Sequence, residues 1–215
     1  MKKLIFILSS FLMINASLAQ SAEEAKALLQ KTSEAMRAHQ SFSIRFDFDF
    51  LNERVEPAVS QKRSGRIAVK GDNYHLHMGS IEQIRQGNTE YMILKDDEEV
   101  QITSYEEGEQ SEGLTPTSLL SMYKKGYSYR MDGSAMVNGD KITYVLLKPR
   151  ASEEIEKVRV GINTSKNHVH SIKQWGQNGA VTTITVKEFE ANPVLPDRYF
   201  TFSEENYPGY YISRE

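Results

Sequence analysis

Two His-x-His pairs, His75-Leu76-His77 and His168-Val169-His170, are the residues of this chain best spaced for chemistry. On a β-strand, residues i and i+2 share a face, so two imidazoles in this pattern can chelate a transition metal such as zinc. A site needs a further donor, and no partner acid is fixed near either pair by spacing. Leu76 and Val169 are the natural inward residues, which places all four histidines on the solvent face and predicts no metal site. Carboxylate pairs such as Asp47 with Asp49 and Glu153 with Glu154 read as solvated faces. The chain has no G-x-S-x-G, no H-E-x-x-H, no Walker glycine loop and no cysteine. The expectation is a protein that is not an enzyme, with neither catalytic residues nor a cofactor.

The elements that would carry these residues are short strands. Residues 43–50 alternate without error, with Ile44, Phe46, Phe48 and Phe50 on one side and charged or polar residues on the other. That is the pattern of a half-buried antiparallel strand. Further strands are predicted over 66–70, 74–78, 81–86, 89–95, 100–105, 127–131, 141–148, 155–161, 169–175, 180–188 and 199–202, separated by turn residues. Asn138-Gly139-Asp140 and Gln177-Asn178-Gly179 are hairpin signals. Two amphipathic helices interrupt the series. The first spans about residues 22–39, with Ala25, Leu28, Leu29, Thr32 and Met36 on one stripe. The second starts at Thr115-Pro116 and ends at Lys124-Lys125-Gly126, carrying Leu119, Leu120 and Met122. The fold class is therefore mainly β with two or three short helices. It reads as one large antiparallel sheet of about 11 strands curled into an incomplete barrel, with the helices on its apolar side. A membrane barrel fits poorly, because Arg45, Asp47 and Asp49 would face lipid at about 2–4 kcal/mol each.

Lys2 and Lys3, an apolar run over 4–14 and a small-x-small ending at Ala19 give residues 1–20 the form of a secretory signal peptide. Ser21-Ala22-Glu23-Glu24 then reads as a capping box opening the first helix. Removal of the leader would leave residues 21–215 as a single domain outside the cytoplasm. The 24 basic residues that remain face 29 acidic ones, which argues against nucleic acid as a partner. The acidic run over residues 98–112 reads as a solubilising loop or as a docking surface for a basic partner.

Several stretches, in order and spacing, resemble the periplasmic outer-membrane lipoprotein carrier family of LolA type. They are residues 65–70 with 74–78, the Gln86-Gly87-Asn88-Thr89-Glu90-Tyr91 hairpin, Leu114 to Leu120, residues 161–170, the Asn178-Gly179 turn before 182–186, and Phe200-Thr201-Phe202. The ending Tyr207-Pro208-Gly209-Tyr210-Tyr211 is similar to that of Bacteroidetes-type members. The resemblance narrows the location to the periplasm and implies an incomplete barrel with a helical lid over an apolar cavity. It also implies a carrier that takes lipoproteins from an inner-membrane ABC transporter, shields their acyl chains, and passes them to an outer-membrane acceptor. One departure stands out, since Gly71 occupies the place of an arginine that well-studied relatives use to hold the lid.

A carrier needs more inward apolar side chains than a tight core can use. The candidates for an acyl cavity are Ile44, Phe46, Phe48 and Phe50, then Ile67 and Val69, then Leu76 and Met78. Met92 or Ile93 follows with Leu94, and the lid adds Leu119, Leu120 and Met122. The alternative is a lipid- or lipoprotein-sensing regulator of the same fold, and in either case the protein is expected to be a monomer.

Overall fold

The computed structural model describes residues 2–106 and 126–214, with side chains from residue 20 onward. Helix α1 (Lys2–Arg37) is followed by β1 (Ser41–Asn52), β2 (Val59–Lys70), β3 (Asn73–Met78), β4 (Ile81–Gln86), β5 (Thr89–Leu94) and β6 (Glu99–Ser104). Then come β7 (Tyr127–Val137), β8 (Asp140–Pro149), β9 (Ile155–Asn163), β10 (His168–Gly176), β11 (Ala180–Ala191) and β12 (Tyr211–Arg214). Two short 3-10 turns, Asp197–Phe200 and Glu204–Asn206, lie between β11 and β12.

All twelve strands form one sheet in the order β12-β6-β5-β4-β3-β2-β1-β11-β10-β9-β8-β7. Sequential hairpins build each half, and β1 joins them by pairing with both β2 and β11. The first and last strands of this order are not partners, so the barrel-like sheet is open. Register shifts between Arg45 and Phe46, between Val169 and Ser171, and between Met131 and Ser134 bend it. The Asn138-Gly139 turn has φ of 51° and 86°, the left-handed pair that a two-residue hairpin requires.

Helix α1 defines the inner face. Ala25 and Leu29 pack with Val145, Leu147, Val158, Val160, Ile162 and Ile172, while Leu28 touches the rim of that group. Toward the end of the helix, Met36 joins Phe42, Phe46, Ile67, Val69 and Tyr74 in a second cluster. Val169 and Ile184 contact both clusters and make the inner face continuous. The predicted stripe is thus the buried one, and buried Thr32 satisfies its hydroxyl on the Leu28 carbonyl at 2.9 Å. Ser21, predicted as a cap, lies inside the helix, and its Oγ accepts the Met131 amide at 3.0 Å. Glu24 accepts instead from Gln20 at 3.1 Å.

Two expectations need correction. The segment predicted as a strand over 199–202 is a 3-10 turn followed by extended chain, because its aromatic side chains lie against the sheet instead of joining its ladder. The final strand, β12, pairs parallel to β6 and makes the sheet not wholly antiparallel. Among the described residues there is one α-helix with the two 3-10 turns. The second predicted helix, and with it the helical lid carrying Leu119, Leu120 and Met122, lies outside the described residues.

Candidate functional site

The strand register decides which side chains share the inner face. Ile44, Phe46, Phe48 and Phe50 on β1 stand opposite Ile67, Gly65, Arg63 and Gln61 on β2. Ile67 stands opposite Leu76, and Gly65 opposite Met78. Gln83 bridges from Leu76 to Met92, while Ile81 bridges from Met78 to Leu94. The predicted residues described here therefore fall on one surface. Met92 takes the inner face, whereas Ile93, the other option on β5, is fully buried on the outer face with Ile84 and Val100.

This surface is unevenly filled. Phe46, Ile67 and Val69 are buried under the end of α1. Ile44, Phe48, Phe50, Leu76, Met78, Met92 and Leu94 are only partly buried. Gly65 explains how Phe46 fits, since a Cβ there would collide with the Phe46 ring and sit 2.9 Å from the His77 carbonyl oxygen. At the other end of β1, a pocket of ≈ 400 Å³ is lined by Phe50, Glu153, Glu154, Gln174 and Thr182 among others. Gln174 Oε1 is buried and has no hydrogen-bond partner among the described residues. Beside the apolar stripe, Glu90 accepts from Tyr74 OH and from Gln83 Nε2, both at 2.6 Å. Arg85 stands opposite Glu90, donates from Nε to the Gly87 carbonyl at 3.1 Å, and lays its guanidinium 5.0 Å from the Tyr105 ring centre. This polar corner bounds a partly open apolar strip, which suits a flexible apolar ligand.

The sequence matches the family described as outer membrane lipoprotein carrier protein LolA over residues 15–183. The chain belongs to the LolA family. Among solved structures, an uncharacterized conserved protein from Thermus thermophilus is 9% identical with a TM-score of 0.56, covering 89% of this chain and 99% of that one. LprF from Mycobacterium bovis is 12% identical with a TM-score of 0.49, covering 82% and 97% of the two chains. A putative outer membrane lipoprotein-sorting protein domain from Vibrio parahaemolyticus is 11% identical with a TM-score of 0.45, covering 84% and 97%. The Thermus likeness shows the shared fold. No curated protein sequence matches the chain.

Where the resemblance to LolA-type carriers points to a lid-holding arginine, this chain has Gly71 at φ 60°, exposed in the turn between β2 and β3. A second arrangement, on the outer face of this LolA-family sheet, was not visible in the sequence. The 197–212 segment crosses that face and stacks Phe202 on Tyr91, with ring centres 4.4 Å apart, and Tyr207 on Phe202 at 5.4 Å. Its Tyr199 carbonyl lies 2.7 Å from His75 Nδ1. His75, predicted to face solvent, is in consequence 8% exposed, and His168 is 9% exposed. Leu76 and Val169 do point inward as predicted; the 197–212 segment covers His75 on the other side, whereas His168 is buried by stacking on Phe189, with ring centres 4.7 Å apart.

Glu82 supplies the partner acid that spacing did not reveal. Its Oε1 lies 2.7 Å from His75 Nε2 and 3.8 Å from His77 Nε2, and its Oε2 lies 2.9 Å from Lys95 Nζ. Burial alone would raise the Glu82 carboxyl, but hydrogen bonds from His75 and Lys95 and the nearby positive charge hold it at about 2. Burial pushes the Tyr207 phenol up to about 12, aided by the charge of Glu82 and the hydrogen bond to it. Burial also lowers His77, His168 and His170, with a contribution from the neighbouring histidine at His77 and His170. The legible signal for Glu82 was the Gly79-Ser80 turn. A two-residue loop there sets residue 77 opposite residue 82.

Proposed function

We propose that this chain is a periplasmic carrier that shelters lipoprotein acyl chains on the inner face of its sheet. In this reading residues 1–20 direct export and are removed, and residues 21–215 act as a single monomeric domain. Acylated lipoproteins arrive from an inner-membrane ABC transporter and leave toward an outer-membrane acceptor. Membership of the LolA family supports the class of cargo. The observation that carries the reading is the apolar strip formed by Ile44, Phe48, Phe50, Leu76, Met78, Met92 and Leu94, which the described chain leaves partly uncovered on the same face that α1 fills elsewhere.

Magnitudes fit a reversible cargo. Each sheltered methylene contributes about 0.8 kcal/mol, so one acyl chain supplies on the order of 10 kcal/mol. Two or three fully buried chains would hold too tightly for transfer. A strip that stays partly wet gives up some of that gain and keeps release feasible.

The test is transfer. Protein loaded with a fluorescent triacylated lipopeptide is mixed with outer-membrane vesicles, and the bound fraction is followed after separation. The carrier reading expects loading near one equivalent and passage onward to the vesicles. Stable loading without passage would favour the sensing regulator, and no loading would exclude both.

A further inference from the structure

The β3–β4 hairpin gathers three metal-ligating groups that the carrier reading does not use. Strand alternation puts His75 and His77 on one side, and register sets Glu82 directly across from His77. One donor atom from each residue lies within 4.8 Å of the other two. The Glu82 Oε1 distances of 2.7 Å to His75 Nε2 and 3.8 Å to His77 Nε2 bracket the spacing of about 3.3 Å between donors around a tetrahedral zinc ion.

The hydrogen bonding of His75 sharpens this geometry. A backbone carbonyl only accepts, so His75 Nδ1, 2.7 Å from the Tyr199 oxygen, carries a hydrogen. In a neutral ring Nε2 then presents a lone pair, yet it sits 2.7 Å from a carboxylate oxygen. Spreading that pair to about 3.3 Å would seat a tetrahedral ion against both donors. A carbonyl-held Nδ1–H is also the usual device that orients a metal-ligating histidine and fixes its tautomer. Lys95 Nζ lies on Glu82 Oε2, its ammonium competing with an ion for the carboxylate's charge, and the Tyr207 phenol also hydrogen-bonds to Glu82. His77, with a side chain 35% exposed, gives the cluster an edge open to solvent.

We propose that His75 Nε2, His77 Nε2 and Glu82 Oε1 form a zinc site on the outer face, with water in the fourth position. The ion staples β3 to β4 beneath the 197–212 segment, whose Tyr199 carbonyl holds the first ligand in place. The site sits on the opposite side of the sheet from the acyl strip and is independent of it.

The test is calorimetric titration of untagged protein with zinc chloride, with cobalt(II) absorption as a geometric readout. The expected result is one saturable equivalent and a tetrahedral cobalt spectrum. His77→Ala, at a half-exposed position, should fold normally and bind about tenfold or more weakly. Glu82→Gln should do the same, and if it does not fold, His77→Ala alone carries the test. Lys95→Met should bind more tightly than the parent, because it removes the competing ammonium. His170→Ala should bind as the parent does. No saturable uptake by the parent, or equal affinity in His77→Ala, overturns the assignment.

Discussion

The two faces of the β3–β5 region share strands and differ in how their side chains are finished. Inward, Leu76, Met78, Met92 and Leu94 are partly buried, and Leu76 and Met78 pack against the apolar cluster under the end of α1. Outward, His75, Glu82, Ile84 and Ile93 are buried beneath a chain segment that packs aromatic rings against Ile84 and Ile93 and hydrogen-bonds to His75 and Glu82. Apolar contact is non-directional, so the inner strip can repack around a flexible chain. Hydrogen bonds between buried charged groups are directional, so the outer network holds one arrangement. One sheet thus presents an adaptable surface and a fixed one, back to back.

Mutations sharpen this contrast, and the largest effect belongs where the inner face is fully closed. Leu147 is 1% exposed under α1, and Leu147→Ala should cost about 2–5 kcal/mol in denaturant unfolding. Next comes Gly65→Ala, which forces a methyl into the Phe46 ring and should cost about 1–3 kcal/mol by the same measurement. At the open end, Phe50→Ser should cost only about 1–2 kcal/mol and yet reduce lipopeptide loading more than Leu147→Ala does. Loading that falls in step with stability across these variants would erase the distinction between closed and open parts of the face. The smallest effect is outside. Tyr207→Phe removes one donor to Glu82, should cost about 1 kcal/mol, and should speed amide exchange in residues 199–212 while leaving loading unchanged. Reduced loading in Tyr207→Phe would mean that the two faces are coupled.

The sequence made the inner face readable because a half-buried antiparallel strand must alternate. Residues 43–50 announce both the strand and its apolar side, and the periodicity of Leu28, Leu29 and Met36 announces the helix that covers part of it. On β5 the same reasoning stalled between Met92 and Ile93, since an apolar run does not say which side is which; register decided it. The outer face was less legible. Tyr-Phe-Thr-Phe at 199–202 has the alternation of a strand, but Phe202 stacks on Tyr91 and Tyr199 packs tilted against His75 while the backbone makes no ladder. The parallel pairing of β12 with β6 depends on a long-range return that no local pattern encodes. His75 reads as exposed until the chain that covers it is in place, and Glu82 becomes its partner only through the register of the Gly79-Ser80 hairpin.

The most direct measurement is photo-crosslinking with a lipopeptide that carries a diazirine in its acyl chain, mapped by peptide mass spectrometry. The account predicts labels on inner-face positions of β1, β3 and β5, among them Phe48, Phe50, Met78 and Met92. Labels confined to the outer face or the 197–212 segment, or no labelling at stoichiometric lipopeptide, would contradict it.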